Sequence, residues 1–259
     1  MPEGDVVWRT GRQLHDALAG RVLVRSDFRV PRYATTDLTG RTVTETVSSG
    51  KHLLTRIEGD ITVHTHLKMD GSWRISAAAG RPMRDHRIRL ILANAQWQAV
   101  GVLLGIVQVI RTSREDAAVG HLGPDLLSQE FDADEAVRRL RADPGRTIGE
   151  ALLDQRNLAG IGTIYRAETL FLRGVSPWRP VGEVADLPGL VELARRLLDA
   201  NKDRPSTITT GSPARGAQLW VYGRAGQRCR RCGAMIRQAD LGPALEDRVA
   251  VWCPHCQPD

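Results

Sequence analysis

Two stretches, Cys229-Arg230-Arg231-Cys232 and Trp252-Cys253-Pro254-His255-Cys256-Gln257, decide how the end of this chain folds. Each holds a Cys-x-x-Cys pair, and twenty residues separate the pairs, the spacing of a four-cysteine zinc site on two facing turns of a β-hairpin. A hairpin this small cannot bury a core of its own, so the ion stands in for one. Gly233 can take the positive φ that turns backbone amides toward the first thiolates, and Pro254 stiffens the second knuckle. Four sulfurs on Cys229, Cys232, Cys253 and Cys256 leave no open position, which makes the expected single zinc ion structural. Unliganded core thiols or a redox pair are the other reading of the same residues.

Outward from the cysteines the chain is basic. Between Arg204 and Ala239 there are seven arginines and no acidic residue, and the whole 259-residue sequence carries a net charge of +6. Such an excess suits a polyanion, because each cation set against a phosphate releases condensed counterion. Arg228, Arg230, Arg231 and Arg248 fall on or beside the hairpin, where a rigid turn can offer guanidinium to phosphate. The opening MPEGDVVWRTGR carries charges where a secretion leader needs an apolar run, so a cytoplasmic, nucleoid-associated protein is expected. The uncharged run Leu90 to Ile110 is interrupted by Asn94, Gln96, Gln98 and Gln108 and reads as two buried strands rather than a membrane span.

The periodicity changes twice along the chain. Val7, Gly11, Leu14 and Leu18 recur at helical spacing from about residue 3, and Gly20 can end that helix. From Val22 to about Ile110 the pattern is of short strands; Ile61, Val63, Thr65 and Leu67 alternate with Thr62, His64, His66 and Lys68, which predicts a sandwich or barrel. From about Gly120 it turns helical, with helices near 132–142, 147–157, 163–173 and 187–201; Thr147 and Glu150 form a capping box for the second. Leu158-Ala159-Gly160-Ile161-Gly162 is a glycine turn running into a helix N-terminus. It suits a phosphate, though any tight connection between two helices needs the same glycines. The stretch 204–216, RPSTITTGSPARG, reads as a linker or mobile loop.

Met1-Pro2-Glu3-Gly4, Gly50-Lys51-His52-Leu53-Leu54, HTHLKMDGSW from His64 to Trp73, LLDQRNLAGIGTIYRAETLF from Leu152 to Phe171, and the terminal WCPHCQ occur in this order over nearly the whole chain. Together they resemble the formamidopyrimidine-DNA glycosylase and endonuclease VIII family, on its endonuclease VIII side. The resemblance implies an α+β, multi-domain protein: a catalytic β-sandwich with a leading helix over 1–119, a helix-two-turns-helix DNA-binding domain over 120–210, and a zinc finger over 211–259. It implies a monomer that binds damaged DNA, removes oxidised bases, pyrimidines before purines, and nicks the strand by β,δ-elimination.

The same resemblance implies the roles of single residues. Pro2, freed by loss of Met1, is the nucleophile; the positive end of the first helix disfavours an ammonium there. Glu3 is the general acid, Lys51 binds phosphate beside the reacting sugar, and Arg248, five residues before Cys253, grips the phosphates around the lesion. Met69 is the wedge that enters the vacated stack, with Lys68 beside it, and Gly160, Gly162, Thr163 and Arg228 belong to the DNA interface. Taken singly these residues have plainer readings: Pro2 as a helix starter, Glu3 as a helix-end charge, Lys51 as a surface lysine, Met69 as a core residue. His64 and His66 read as polar, cleft-facing residues without a catalytic role. Three positions depart from the family: Val6 replaces a second glutamate, Thr163 an asparagine, keeping a hydroxyl that can cap the helix, and Asp70 adds a negative charge to the wedge loop. Two rival classes are a binding protein that lost its chemistry and a helix-hairpin-helix repair enzyme. The intact Pro2, Glu3 and Lys51 speak against the first, and the zinc hairpin against the second.

Overall fold

The computed structural model describes residues 2–78, 85–242 and 249–258. The chain divides into two compact units, 1–121 and 122–259. In the first, α1 (Gly4–Leu18) is amphipathic, burying Val7, Leu14, Ala17 and Leu18. It lies so close to the sheet that a Cβ on Gly11 would sit 3.3 Å from Leu53 Cδ2. Among the described residues nine strands follow: β1 (Arg21–Val22), β2 (Arg25–Phe28), β3 (Thr42–Ser49), β4 (His52–Ile57), β5 (Ile61–His66), β6 (Ser72–Ala77), β7 (Ile88–Ala93), β8 (Trp97–Val102) and β9 (Ile106–Ile110). They form two antiparallel sheets, β1-β3-β4-β5-β9 and β2-β7-β8-β6. Leu53 and Val63 of one sheet share a core with Leu90, Leu92 and Ala99 of the other and with α1, which makes the expected sandwich. A short helix, α2 (Asp116–Val119), closes the unit.

Two strand expectations are corrected. The run Leu90 to Ile110 contains most of three strands, not two. Asn94 Oδ1 accepts the amides of Gln96 and Trp97, making the first turn from a side chain, and Leu103 takes φ +51° in the second. β5 alternates in sequence yet is buried on both faces, Thr62 and His64 as well as Val63. Its polar face is closed by Glu115, which accepts the Thr62 hydroxyl and a forked pair from Arg56.

The second unit is built around α5 (Thr163–Arg173), preceded by α3 (Ala133–Arg141) and α4 (Ile148–Ala151) and followed by α6 (Leu187–Asn201) and the ribbon β10 (Arg237–Ala239) with β11 (Ala250–Trp252). Asp132 and Asp186 cap α3 and α6 by accepting the amides of Glu135 and Gly189. The helix expected over 147–157 stops at Ala151. Thr147 accepts the Glu150 amide, but beyond it the side chains offer the backbone other partners: Asn157 donates to Ala151 O, and Gln155 donates to Leu153 O and Ile161 O. The loop 204–216 has no helix or strand, as expected, but it is tied rather than loose. Asn201 Oδ1 accepts the Ile208 amide at 2.7 Å, and the Thr209 amide donates to Gln218 O.

α5 explains why residues 211–259 share a unit with the helices. Tyr165 and Leu170 enter the helical core, whereas Ala167 and Phe171 pack with Val221, Cys229, Ile236, Val251 and Cys253. Glu168, 0 % exposed, joins the two: its carboxylate accepts the amides of Trp220, Val221 and Tyr222 at 2.8–2.9 Å and the Thr209 hydroxyl. In Glu168→Gln one oxygen becomes an NH2 that faces a donor, so a loss of about 2 kcal/mol or more is expected. Denaturant unfolding of the variant checks this; an unchanged midpoint would contradict the role.

Candidate functional site

Pro2 is half-buried and immediately precedes the N-cap of α1. The N-cap is Glu3, 1 % exposed, in extended backbone (φ −112°), and its side chain makes no capping hydrogen bond. Glu3 therefore sits at the positive end of α1 without capping it by a side-chain hydrogen bond. Lys51 lies in the turn between β3 and β4, next to Gly50 at φ +56°. Val6, half-buried on α1, brings no carboxylate to this end.

His52, His64 and His66 share one face of the five-stranded sheet. His52 stands opposite His66 in the β4–β5 register, and His64 opposite Gln108 in β5–β9. His52 Nδ1 lies 2.8 Å from His64 Nε2, and His64 Nδ1 lies 3.1 Å from Gln108 Oε1. His121 approaches the His52 ring edge-on at 6.1 Å. Burial lowers the pKa of His52 to about 3, aided by the neighbouring histidines and Lys68, and that of His66 to about 4, aided by Lys68 and Lys51. The two lysines therefore act on one imidazole, and the rings stay neutral near pH 7. Sequence reasoning missed His52 and His121, because nothing local says which strand lies beside which; the adjacency of His52 to Lys51 was the available signal. The expectation for His64 is corrected in part, since it is 3 % exposed and internally bonded. Met69, at 61 % exposure, is not a core residue, and Lys68 and Asp70 flank it in the open. Asp70 has no ion pair among the described residues.

In the second unit the glycine turn is buried, Gly160, Gly162 and Thr163 included. Gly160, at φ +97°, donates its amide to Gln155 Oε1, so that amide is not free for a phosphate as the turn suggested. Gly162 is the N-cap and Thr163 the first helical residue, which corrects the expectation that Thr163 caps α5. Arg228 is exposed on the hairpin. Arg230 and Arg231 serve the fold instead: Arg230 donates to Leu219 O and Gly216 O, and Arg231 stacks 4.3 Å over Phe171 and donates to its carbonyl. Arg248, like Met1, lies outside the described residues.

The four cysteine sulfurs lie within 4.8 Å of one another, with Cys229–Cys256 at 4.0 Å and Cys232–Cys253 at 3.5 Å. These separations are too long for a disulfide and suit a tetrahedral ion at Zn–S distances of about 2.3 Å. Gly233 has the expected positive φ, +80°, and donates to Cys229 O. Burial opposes the Cys229 thiolate, but the amides of Cys232 and Arg231 together with the Cys253 and Cys232 thiols favour it and lower its pKa to about 7. The donor set fits a closed metal site.

Residues 1–100 match the formamidopyrimidine-DNA glycosylase N-terminal domain, and residues 122–188 match the formamidopyrimidine-DNA glycosylase H2TH domain. The chain is 58% identical to the probable endonuclease 8 2 of Streptomyces coelicolor, over 99% of this chain and 94% of that one. It is 48% identical to the DNA-(apurinic or apyrimidinic site) lyase Nei2 of Mycolicibacterium smegmatis, over 99% of each. Among solved structures, Lactococcus lactis Fpg in complex with DNA containing N7-benzyl-Fapy-dG superposes with a TM-score of 0.81 at 25% identity, covering 100% of both chains.

Two outcomes are expected. Stripping the cysteine site with a strong chelator should lower the thermal midpoint by roughly 10 °C or more and release one metal equivalent, read by elemental analysis. His52 and His66 titrate near 6.5 when unfolded and near 3 and 4 when folded, so the unfolded chain takes up protons first. Their stabilising effect is complete above about pH 6.5 and is lost as the pH falls toward 4. Thermal scans from pH 7 to 5 should show a drop of roughly 5 °C that is smaller in His52→Leu.

Proposed function

The chain belongs to the formamidopyrimidine-DNA glycosylase and endonuclease 8 family, and on that premise we propose that it is a base-excision-repair enzyme, a bifunctional DNA glycosylase and abasic-site lyase acting through Pro2. The observation that carries this reading is the buried Glu3 carboxylate, set one residue from Pro2 at the positive end of α1 and not engaged in capping. Extruding the damaged nucleotide brings C1′ of its sugar to the Pro2 amine. The amine lone pair forms a bond to C1′, and the glycosidic electrons leave with the base, which takes up a proton. Glu3 protonates the ring oxygen as the C1′–O4′ bond opens, leaving an iminium between C1′ and the proline nitrogen. The iminium acidifies the C2′ proton; its loss expels the 3′ phosphate, and a second elimination expels the 5′ phosphate.

The surrounding residues support those steps without entering them. Lys51 binds the phosphate beside the reacting sugar, its cation already held near neutral imidazoles that do not compete for the anion. Met69, exposed on its turn, fills the space the base leaves, with Lys68 on the adjacent backbone. Arg228 and, beyond the described residues, Arg248 reach phosphates from the hairpin, and the turn at Gly160, Gly162 and Thr163 steadies the duplex as a rigid element rather than through the Gly160 amide, which Gln155 holds. The cysteines hold one zinc ion, whose chemistry is to fix the two turns of that hairpin. The substrate is oxidised DNA, pyrimidine lesions before purine ones. The exposed Asp70 and the missing amide at Thr163 favour open or single-stranded contexts over intact duplex. In this reading residues 1–119 carry the chemistry, 120–210 hold the duplex, and 211–259 grip the lesion strand; the enzyme works as a monomer in the cytoplasm, on the nucleoid. No helix among the described residues is long and apolar enough to cross a membrane.

Pro2→Ala should lower base excision by about a hundredfold or more while DNA affinity survives, and a residue retained before Pro2 should do the same, because an amide nitrogen has no available lone pair. Glu3→Gln should impair excision more than cleavage of a preformed abasic site, where the sugar already opens to an aldehyde. Borohydride trapping and incision gels measure both. A tagged protein that still excised at the native rate and still trapped would exclude the terminal amine and point to Lys51.

A further inference from the structure

We propose that His52 is a positioning residue for base excision: clamped to His64, its ring holds His66 where His66 keeps the Lys68–Met69 turn in the shape that presents Met69 to the duplex. The inference rests on the reading of Met69 as the wedge.

The turn after β5 is an unfavoured one. Lys68 sits at φ +55°, a region that a residue with a side chain avoids, so the surrounding structure must hold it there. His66 supplies a direct hold, since its Nδ1 accepts the Lys68 amide at 2.9 Å. The main chain adds two more: Gly105 donates to His66 O and Gly71 to Leu67 O, each at 2.9 Å. The approaches are close as well: a Cβ on Gly105 would lie 2.2 Å from Lys68 Cγ, and one on Gly71 2.3 Å from Leu67 O. Met69 projects from this tightly approached turn into the open.

An accepting Nδ1 must carry a lone pair, so His66 has its proton on Nε2. Burial and the flanking Lys68 and Lys51 keep the ring in that neutral form. The ring plane is set from behind. His52, directly opposite His66 across β4 and β5, meets it edge to face, with centroids 4.8 Å apart and planes at 82°. His52 is itself fixed through His64 to Gln108, a chain of hydrogen bonds across three neighbouring strands. His52 is only half-buried and stands on the sheet face opposite Leu53 and the apolar core, so its removal opens no core cavity.

The test compares lesion excision in duplex, with 2-aminopurine opposite the lesion to report wedge insertion, against borohydride trapping on an abasic single strand, where no stack needs a wedge. His52→Leu is expected to lower kcat on duplex about tenfold with KM near native, to weaken the 2-aminopurine signal, and to leave single-strand trapping near native. In a Lys68→Gly background, where glycine takes the positive φ unaided, the same substitution should cost about twofold or less. Gln108→Leu, which releases the far end of the chain, should repeat the duplex-selective loss in smaller measure, and it serves as the second reading should His52→Leu fold poorly. Equal losses on duplex and single strand, or an undiminished loss in the Lys68→Gly background, would overturn the inference. If Met69→Ala abolishes the fluorescence signal while His52→Leu does not, the inference alone fails. If neither changes it, the wedge reading fails and takes the inference with it.

Discussion

One buried carboxylate organises the second unit of this protein. Glu168 lies on a helix and is shut off from solvent, a position that is costly for a charge unless donors surround it. Three consecutive amides, from Trp220 to Tyr222, and the Thr209 hydroxyl meet that requirement. They come from chain that has no helix or strand of its own, so the carboxylate does for this segment what a sheet partner does for a strand. The consequences run in both directions. Upstream, Thr209 anchors the middle of a Pro-, Gly-, Ser- and Thr-rich loop; downstream, the fixed Trp220 and Tyr222 lead into the first cysteine knuckle and pack against it.

The cysteine hairpin is held by α5 from without, and within it the four sulfurs converge on a site that can take a metal ion. Gln257 shows the outer hold in detail: its side chain accepts the Cys253 amide and donates to Val175 O, joining the last knuckle to the end of α5. Arg231 adds a guanidinium stacked on Phe171. A surface that must bring arginines to a flexible polyanion gains from this rigidity, because guanidinium contacts to phosphate lose affinity when the side chains have to be ordered on binding. The division of labour among the arginines follows: those whose heads reach carbonyls, Arg224, Arg230 and Arg231, build the platform, and Arg228 stands clear of it.

The first unit solves a different problem with the same chemistry. On the face away from the apolar core its five-stranded sheet carries buried and half-buried polar groups that find partners on neighbouring strands or just before α2: Thr62 and Arg56 with Glu115, His64 with Gln108, His52 with His64. Neutral imidazoles lie beside Lys51 and Lys68, whose positive charges both act on His66, so this part of the sheet carries a local positive field. The cost is borne by the histidines, whose pKa values fall far below the ordinary range.

What the sequence determined by itself was local or covalent in origin. The cysteine spacing specified a closed metal site, the 3.6-residue periodicity specified α1, α3, α5 and α6 to within a residue or two, and the net charge and the arginine-rich segment pointed to the partner class. Order and identity of short motifs then named the family. The tertiary structure alone decided which residues meet across distance. It ended α4 at Ala151, where Asn157 and Gln155 take the Ala151 and Leu153 carbonyls that a longer helix would use. It buried the glycine turn, placed Thr163 inside α5 rather than at its cap, and turned Arg230 and Arg231 from phosphate ligands into struts. It also assembled His52, His64, His66 and Gln108 from three strands. The physical reason is common to all of these: helix periodicity and cysteine spacing act within a few residues, whereas strand order, register and the partner of a buried polar group are set by contacts between residues far apart in the chain, which no local pattern encodes.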